Sequence, residues 1–263
     1  MIAMKRNSII YILALFMLTA CSSKLDFTTP STPVTPPVVG NTELIISELS
    51  TAINTYTGPN GLKSRNHYVE LWNGTTKSID LSNYAIGYQA VTDTNTLSVW
   101  KFQTSNFFIL KGILSASKAY VIGSPIADTA VIKSDTLWGT SSTASADASS
   151  PLQLSGNSAI ALLKKDATGS YSLGGVNFKI VDVFCSPSVA RLAFTGTQSS
   201  RNNIYWAIGD TTTDTRNRTF KRKSTVTSPQ PDWSISNAIG NSQWEVSGDK
   251  KWDFTNVGIF TIH

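Results

Sequence analysis

His67-Tyr68-Val69-Glu70-Leu71-Trp72, followed at once by Asn73-Gly74, is the stretch that decides the fold class. A β-branched and aromatic run closed by a turn pair reads as a strand. Upstream, residues 44–49 (LIISEL) form the first strand candidate. Downstream, Tyr84-Ala85-Ile86-Gly87-Tyr88 follows the turn-like Leu81-Ser82-Asn83. Further strands are expected at 97–102, 107–110, 119–122, 158–164 and 179–184. Lys165-Asp166-Ala167-Thr168-Gly169 reads as a turn closing a hairpin after the strand that starts at Ser158. No window of a dozen residues shows sustained apolar spacing at three and four. Short strands at intervals near ten, separated by turn signals, predict an all-β fold, a sandwich or a barrel.

The N-terminal part is organised differently. Residues 1–7 carry Lys5 and Arg6, residues 9–18 (IIYILALFML) are an apolar core, and Leu18-Thr19-Ala20-Cys21 follows. An apolar run this short reads as a signal peptide rather than a transmembrane helix. Residues 22–42 hold Pro30, Pro33, Pro36 and Pro37 among Thr and Val, a composition that makes an extended, disordered linker. At about 3.1 Å per residue such a linker reaches up to roughly 65 Å. Three parts are therefore expected: a leader over 1–20, a linker over 21–42, and a β-domain over 43–263. Within the last, residues 134–150 and 195–203 are polar and read as long surface loops.

Without residues 1–20 the chain has 243 residues, and the formal charge falls from +5 to +3 because Lys5 and Arg6 leave and no acid does. That balance is too mild to call for nucleic acid as a partner. The chain holds two cysteines, Cys21 and Cys185. Cys185 ends the apolar run Ile180-Val181-Asp182-Val183-Phe184 and reads as a small buried hydrophobe.

Two resemblances extend this reading. Leu18-Thr19-Ala20-Cys21 resembles the lipobox of bacterial lipoproteins, which implies cleavage before Cys21 and acylation of that residue. Ser22 after the cysteine resembles the outer-membrane sorting pattern. The implied location is the cell envelope, with the membrane as partner through the lipid anchor. The β-region resembles the lamin tail domain family. The similarity rests on Leu44-Ile45-Ile46-Ser47-Glu48, on Tyr68-Val69-Glu70-Leu71-Trp72-Asn73, and on Ile79-Asp80-Leu81-Ser82-Asn83-Tyr84-Ala85-Ile86. The stretches at 114–122 and 154–162, then Ile180-Val181-Asp182 and Thr219-Phe220-Lys221-Arg222-Lys223, follow in the family's order. The resemblance covers residues 43–245 and implies an immunoglobulin-like β-sandwich, here with long insertions at 134–150 and 191–215. Members of the family mostly serve as binding or anchoring modules, and fold alone licenses no chemistry.

A search of the residues for chemistry finds few candidates. There is no Gly-x-Ser-x-Gly elbow, phosphate-binding glycine loop or His-Glu-x-x-His motif. The two histidines are His67, beside a strand, and His263. Two scattered histidines and one thiol do not make a zinc site, and no cofactor is implied. A structural calcium could draw on Asp210 and Asp214 or on Asp128 and Asp135, although neither pair has EF-hand spacing. Glu48 and Glu70 are strand carboxylates. They either act together as acid and base or fix the structure by bonding backbone or a cation such as Arg222. Arg216, Arg218, Lys221, Arg222 and Lys223 form a basic stretch that reads as a solvated edge strand or as a patch for phosphate or acidic polysaccharide. Trp233, Trp244 and Trp252 lie in a polar region, where rings stack on sugars or finish a core. The function that fits is a non-enzymatic binding or adhesion module for a protein or glycan. An accessory role in extracellular hydrolysis and a structural envelope role are the other readings.

Overall fold

A computed structural model describes residues 43–52, 56–57, 63–90, 97–139, 152, 154, 156–189, 192–193, 204–209, 213 and 215–260. The leader, Cys21 and the linker lie outside the described residues, as do Asp210, Asp214 and His263.

Eleven strands build two sheets. In chain order they are β1 (Leu44–Ser50), β2 (Tyr68–Asn73), β3 (Tyr84–Ala90), β4 (Phe107–Ile109), β5 (Lys118–Gly123) and β6 (Thr136–Leu137). They continue with β7 (Ser158–Lys165), β8 (Tyr171–Leu173), β9 (Val176–Phe184), β10 (Thr219–Arg222) and β11 (Trp244–Val246). The first sheet runs β6-β5-β2-β1-β10-β11, and the second runs β8-β9-β7-β3-β4. All neighbours are antiparallel except the β6–β5 pair. The chain is thus all-β, with two single-turn helices at Leu81–Asn83 and Trp233–Ser236 among the described residues.

Both sheets feed one hydrophobic cluster. Leu44, Ile46, Leu49, Val69, Leu71 and Phe220 enter it from the first sheet, and Ile86, Ile160, Leu162, Phe178 and Val183 from the second. Burying each such side chain contributes about 1.5–3 kcal/mol. A bulge at Ser47 makes the alternation work: Ile46 pairs with Leu71 and Glu48 with Glu70, leaving Ser47 as the extra residue. Ile46 and Leu49, three apart, can then both face the core. Glu48 is sent to the opposite face of the sheet.

A buried ion pair ties the two sheets together. Arg222 Nη2 on β10 lies 2.6 and 2.5 Å from the two carboxylate oxygens of Asp182 on β9, and neither side chain is exposed. The β1–β10 ladder covers Glu48, Leu49 and Ser50, and Ile46 lies beyond it without a ladder partner on β10. The ion pair takes that place: Ile46 N–H donates to Asp182 at 2.8 Å, and Arg222 Nε donates to Ile46 O at 3.2 Å. Gln230 N–H and Gln243 Oε1 satisfy further positions on the pair. A buried pair offsets its desolvation only with such extra bonds. Around it, Phe184 contacts the rings of Phe220, Trp233 and Trp244 at 4.8, 5.3 and 5.0 Å.

Several expected elements differ. Residues 97–102 form no strand, because side chains serve their backbone. Gln89 Oε1 accepts from Lys101 N–H, and Asn106 Nδ2 donates to Lys101 O. Trp100 and Phe102 still pack on the core. The hairpin after β7 does not close directly. The chain makes the short arm β8, reverses at Gly174-Gly175 with φ of 57° and 79°, and only then enters β9. Two successive positive φ values at a two-residue turn are what glycine supplies. The expected loop at 134–150 begins with β6, and residues 140–150 lie outside the described set. Finally, Thr219–Arg222 is not an edge strand, since it is flanked by β1 and β11.

Candidate functional site

Arg218 and Lys223 flank β10, and both line an open pocket of about 480 Å³ that extends along β11. Trp244 and Val246 of β11 join them, with Ile208 and the hydroxyl residues Thr213, Ser242 and Ser247. A volume of this size falls within the usual range for small-ligand sites, about 300–1,000 Å³. No carboxylate is found among the described residues that line it.

Local bonding explains how separate segments make one wall. Asn237, just past the Trp233–Ser236 turn, clamps two loops: its Oδ1 accepts from Gly209 N–H at 2.8 Å, and its Nδ2 donates to Ala207 O at 2.7 Å. Ser242 Oγ donates to the same Oδ1 at 3.2 Å. Gly240 N–H donates to Gly209 O at 2.9 Å. A Cβ on Gly209 would come within 2.8 Å of Ser242 Cβ, and its φ is 62°, so a side chain there would push the loops apart. On the opposite wall Arg218 Nη1 donates to Ser247 O at 2.7 Å. Trp244 is buried, with the Arg222 guanidinium 4.2 Å from its ring centre.

Three of the residues singled out in the sequence, Arg218, Lys223 and Trp244, therefore meet at one place. The others are dispersed. Trp233 is packed against Phe184 in the core, and Trp252 is half-buried elsewhere. Trp233 and Trp244 both belong to the hydrophobic core cluster. The Arg216 guanidinium lies 5.0 Å from the Tyr205 ring centre. Lys221 points to the other face of the first sheet and pairs with Asp253 at 2.8 Å. Arg222 partners Asp182 rather than either strand glutamate.

Glu48 and Glu70 lie together on that other face, covered by residues 253–260. Phe254 meets Tyr68 edge-on at 6.3 Å, and Phe260 meets Trp72 at 5.7 Å. Between them Gly258 N–H donates to Glu70 Oε2 at 2.6 Å, while Ser47 Oγ donates to Glu70 Oε1 at 2.6 Å. Tyr68 Oη donates to Glu48. Glu48 is 2% exposed and Glu70 0%. Burial pushes the Glu48 carboxyl up to about 8, against the opposing hydrogen bond from Tyr68. Burial also raises Glu70, less the effect of its bonds from Ser47 and Gly258. Acid–base chemistry needs a carboxyl that a substrate can reach, and these two are sealed.

The remaining candidates have local roles. His67 is buried, and its Nδ1 accepts from Leu154 N–H at 3.2 Å. Asp135 accepts from Val121 N–H at 2.8 Å and Asp128 from Ala130 N–H at 3.0 Å. Cys185 is buried at φ 62°, and burial raises its thiol well above the ordinary range. Among the described residues no group of three or more His, Cys, Asp or Glu is placed to hold a metal.

Thr213, Ser242, Ser247 and the glycines of the pocket escape a reading of the sequence. The signal available was the pair of turn clusters, Gly240-Asn241-Ser242 and Ser247-Gly248, that bracket Trp244. Comparison of the chain with protein-family models, with curated proteins and with solved structures finds no match.

Proposed function

We propose that this chain is a cell-envelope lipoprotein, anchored through Cys21 in the outer membrane and carried on its Pro/Thr-rich linker, whose immunoglobulin-like, lamin-tail-like β-sandwich is a non-enzymatic binding or adhesion module. The observation that carries the binding role is the open pocket in which Arg218, Lys223 and Trp244 converge. The sandwich reading draws support from the two sheets that share one core. It also draws on where the family-like motifs fall. Asp80-Leu81-Ser82 forms a capped turn in which Asp80 Oδ1 accepts from Ser82 N–H at 2.9 Å, directly before β3. Sealing of Glu48 and Glu70 favours binding over hydrolysis, because the paired carboxylates offer no face to a substrate.

The test uses the full-length protein in detergent and in membranes. It should be retained on an immobilised polysaccharide or protein ligand without releasing reducing ends or peptides. Cys21→Ala should move it from the membrane to the soluble fraction and abolish labelling by palmitate. Turnover of the retained polymer would overturn the binding role, and an unlabelled, membrane-bound Cys21→Ala protein would overturn the anchor.

A further inference from the structure

We propose that the pocket between β10, β11 and the Asn237-clamped loops binds an acidic polysaccharide, with Arg218 and Lys223 holding successive anionic groups of one chain; this rests on the binding-module reading above. Its described lining carries two cations, Arg218 and Lys223, each able to hold an anion. The two cations sit at opposite ends of β10, five residues apart in sequence. At about 3.3 Å per residue their backbones are separated by roughly 16 Å. A polymer bearing an acidic group on successive or alternate units can meet both cations. Arg218 is held in place by its bond to Ser247 O, so its position is set before a ligand arrives.

The rest of the wall fits sugar better than nucleobase. Thr213, Ser242 and Ser247 bring hydroxyl residues to the wall, beside Gly209, Gly240 and Gly248. Hydroxyl and peptide groups are suited to sugar hydroxyls. Single-stranded nucleic acid instead relies on exposed aromatic platforms. The one aromatic here, Trp244, is 3% exposed and is occupied by Phe184 and Arg222.

The probes are polygalacturonate, dextran sulfate, neutral dextran and oligo(dT), each titrated against the full-length protein in detergent. Polygalacturonate and dextran sulfate separate a carboxylate from a sulfate ligand, and binding to either one supports the proposal. Lys223→Glu and Arg218→Gln should each weaken it roughly tenfold or more, as expected for loss of a charge-assisted contact. Lys179→Gln, which removes a charge on the second sheet, should leave it unchanged. Lys223→Met keeps the aliphatic stem and serves if Lys223→Glu does not fold. Equal affinity for neutral dextran, unaffected by Lys223→Met, would overturn the acidic ligand while leaving the binding module standing. So would a preference for oligo(dT), an equal loss in Lys179→Gln, or no affinity for either acidic polymer. Depolymerisation of a probe would overturn the binding-module reading itself.

Discussion

Replacing Glu48 by glutamine should remove most of the pH dependence of stability between pH 5 and pH 9. In the native protein the carboxyl holds its proton up to about pH 8, against 4.5 for an ordinary glutamate. Between those values the native state binds a proton that the unfolded chain has lost, so stability falls as pH rises. The slope is about 1.4 kcal/mol per pH unit. The loss is about 3 kcal/mol by pH 7 and levels off near 5 kcal/mol above pH 8, once native Glu48 ionises too. Glu70, also raised by burial, adds to the fall with the same sign. Asp253 and Asp166 are held below the ordinary carboxylate range by lysine partners and threonine hydroxyls, so their stabilisation is present above pH 4 and lost in stronger acid. Urea unfolding of the full-length protein, followed by tryptophan fluorescence at pH 5, 7 and 9, measures the effect. Phe254→Ala, which opens the cover over Tyr68 and Glu48, should shift the inflection toward pH 4.5. Parallel pH profiles for the native protein and Glu48→Gln would refute the reasoning.

Arg222→Met leaves the Asp182 carboxylate buried without its cation and should cost about 3–5 kcal/mol in urea unfolding; adding Asp182→Leu should recover part of that loss. Gly156→Ala places a methyl 2.7 Å from Thr215 O at a φ of 96°, and should lower stability by about 1–3 kcal/mol, read as a drop in Tm. Cys185 should resist a thiol reagent in the native protein and react once urea is added. On the proposed acylation of Cys21, chain purified from membranes should titrate one thiol, and Cys21→Ala should leave that count unchanged.

Most strands of the two sheets were legible because their residues carry local information. Seven expected runs, from Leu44 in β1 to Phe184 in β9, fall on strands within a few residues of their expected ends. Residues 97–102 carry the same aromatic and β-branched signal, yet Gln89 and Asn106 satisfy their backbone with amide side chains, a long-range choice that composition does not encode. The Arg222–Asp182 pair shows the same limit. Each residue stood in a noticed motif, but forty positions separate them and only the approach of β9 to β10 makes them partners. Of the pocket, the cations and Trp244 were visible as unusual residues. Its hydroxyl and glycine walls were not, since they look like ordinary turns until Asn237 draws the loops together.

The position of β1 has a consequence for how the molecule is assembled in time. Its strand partner Lys221 emerges more than 170 residues after Glu48, so the middle of the first sheet stays open on one side until almost the whole chain is available. Pairings between such distant segments form slowly, because a large loop must close first. Meanwhile residues 44–49 present a greasy, hydrogen-bond-hungry ribbon that invites mispairing with other chains. For the envelope protein proposed above, that delay would keep the first sheet from closing until the chain has crossed the membrane. Its safety during the wait then falls to whatever chaperone keeps the ribbon covered.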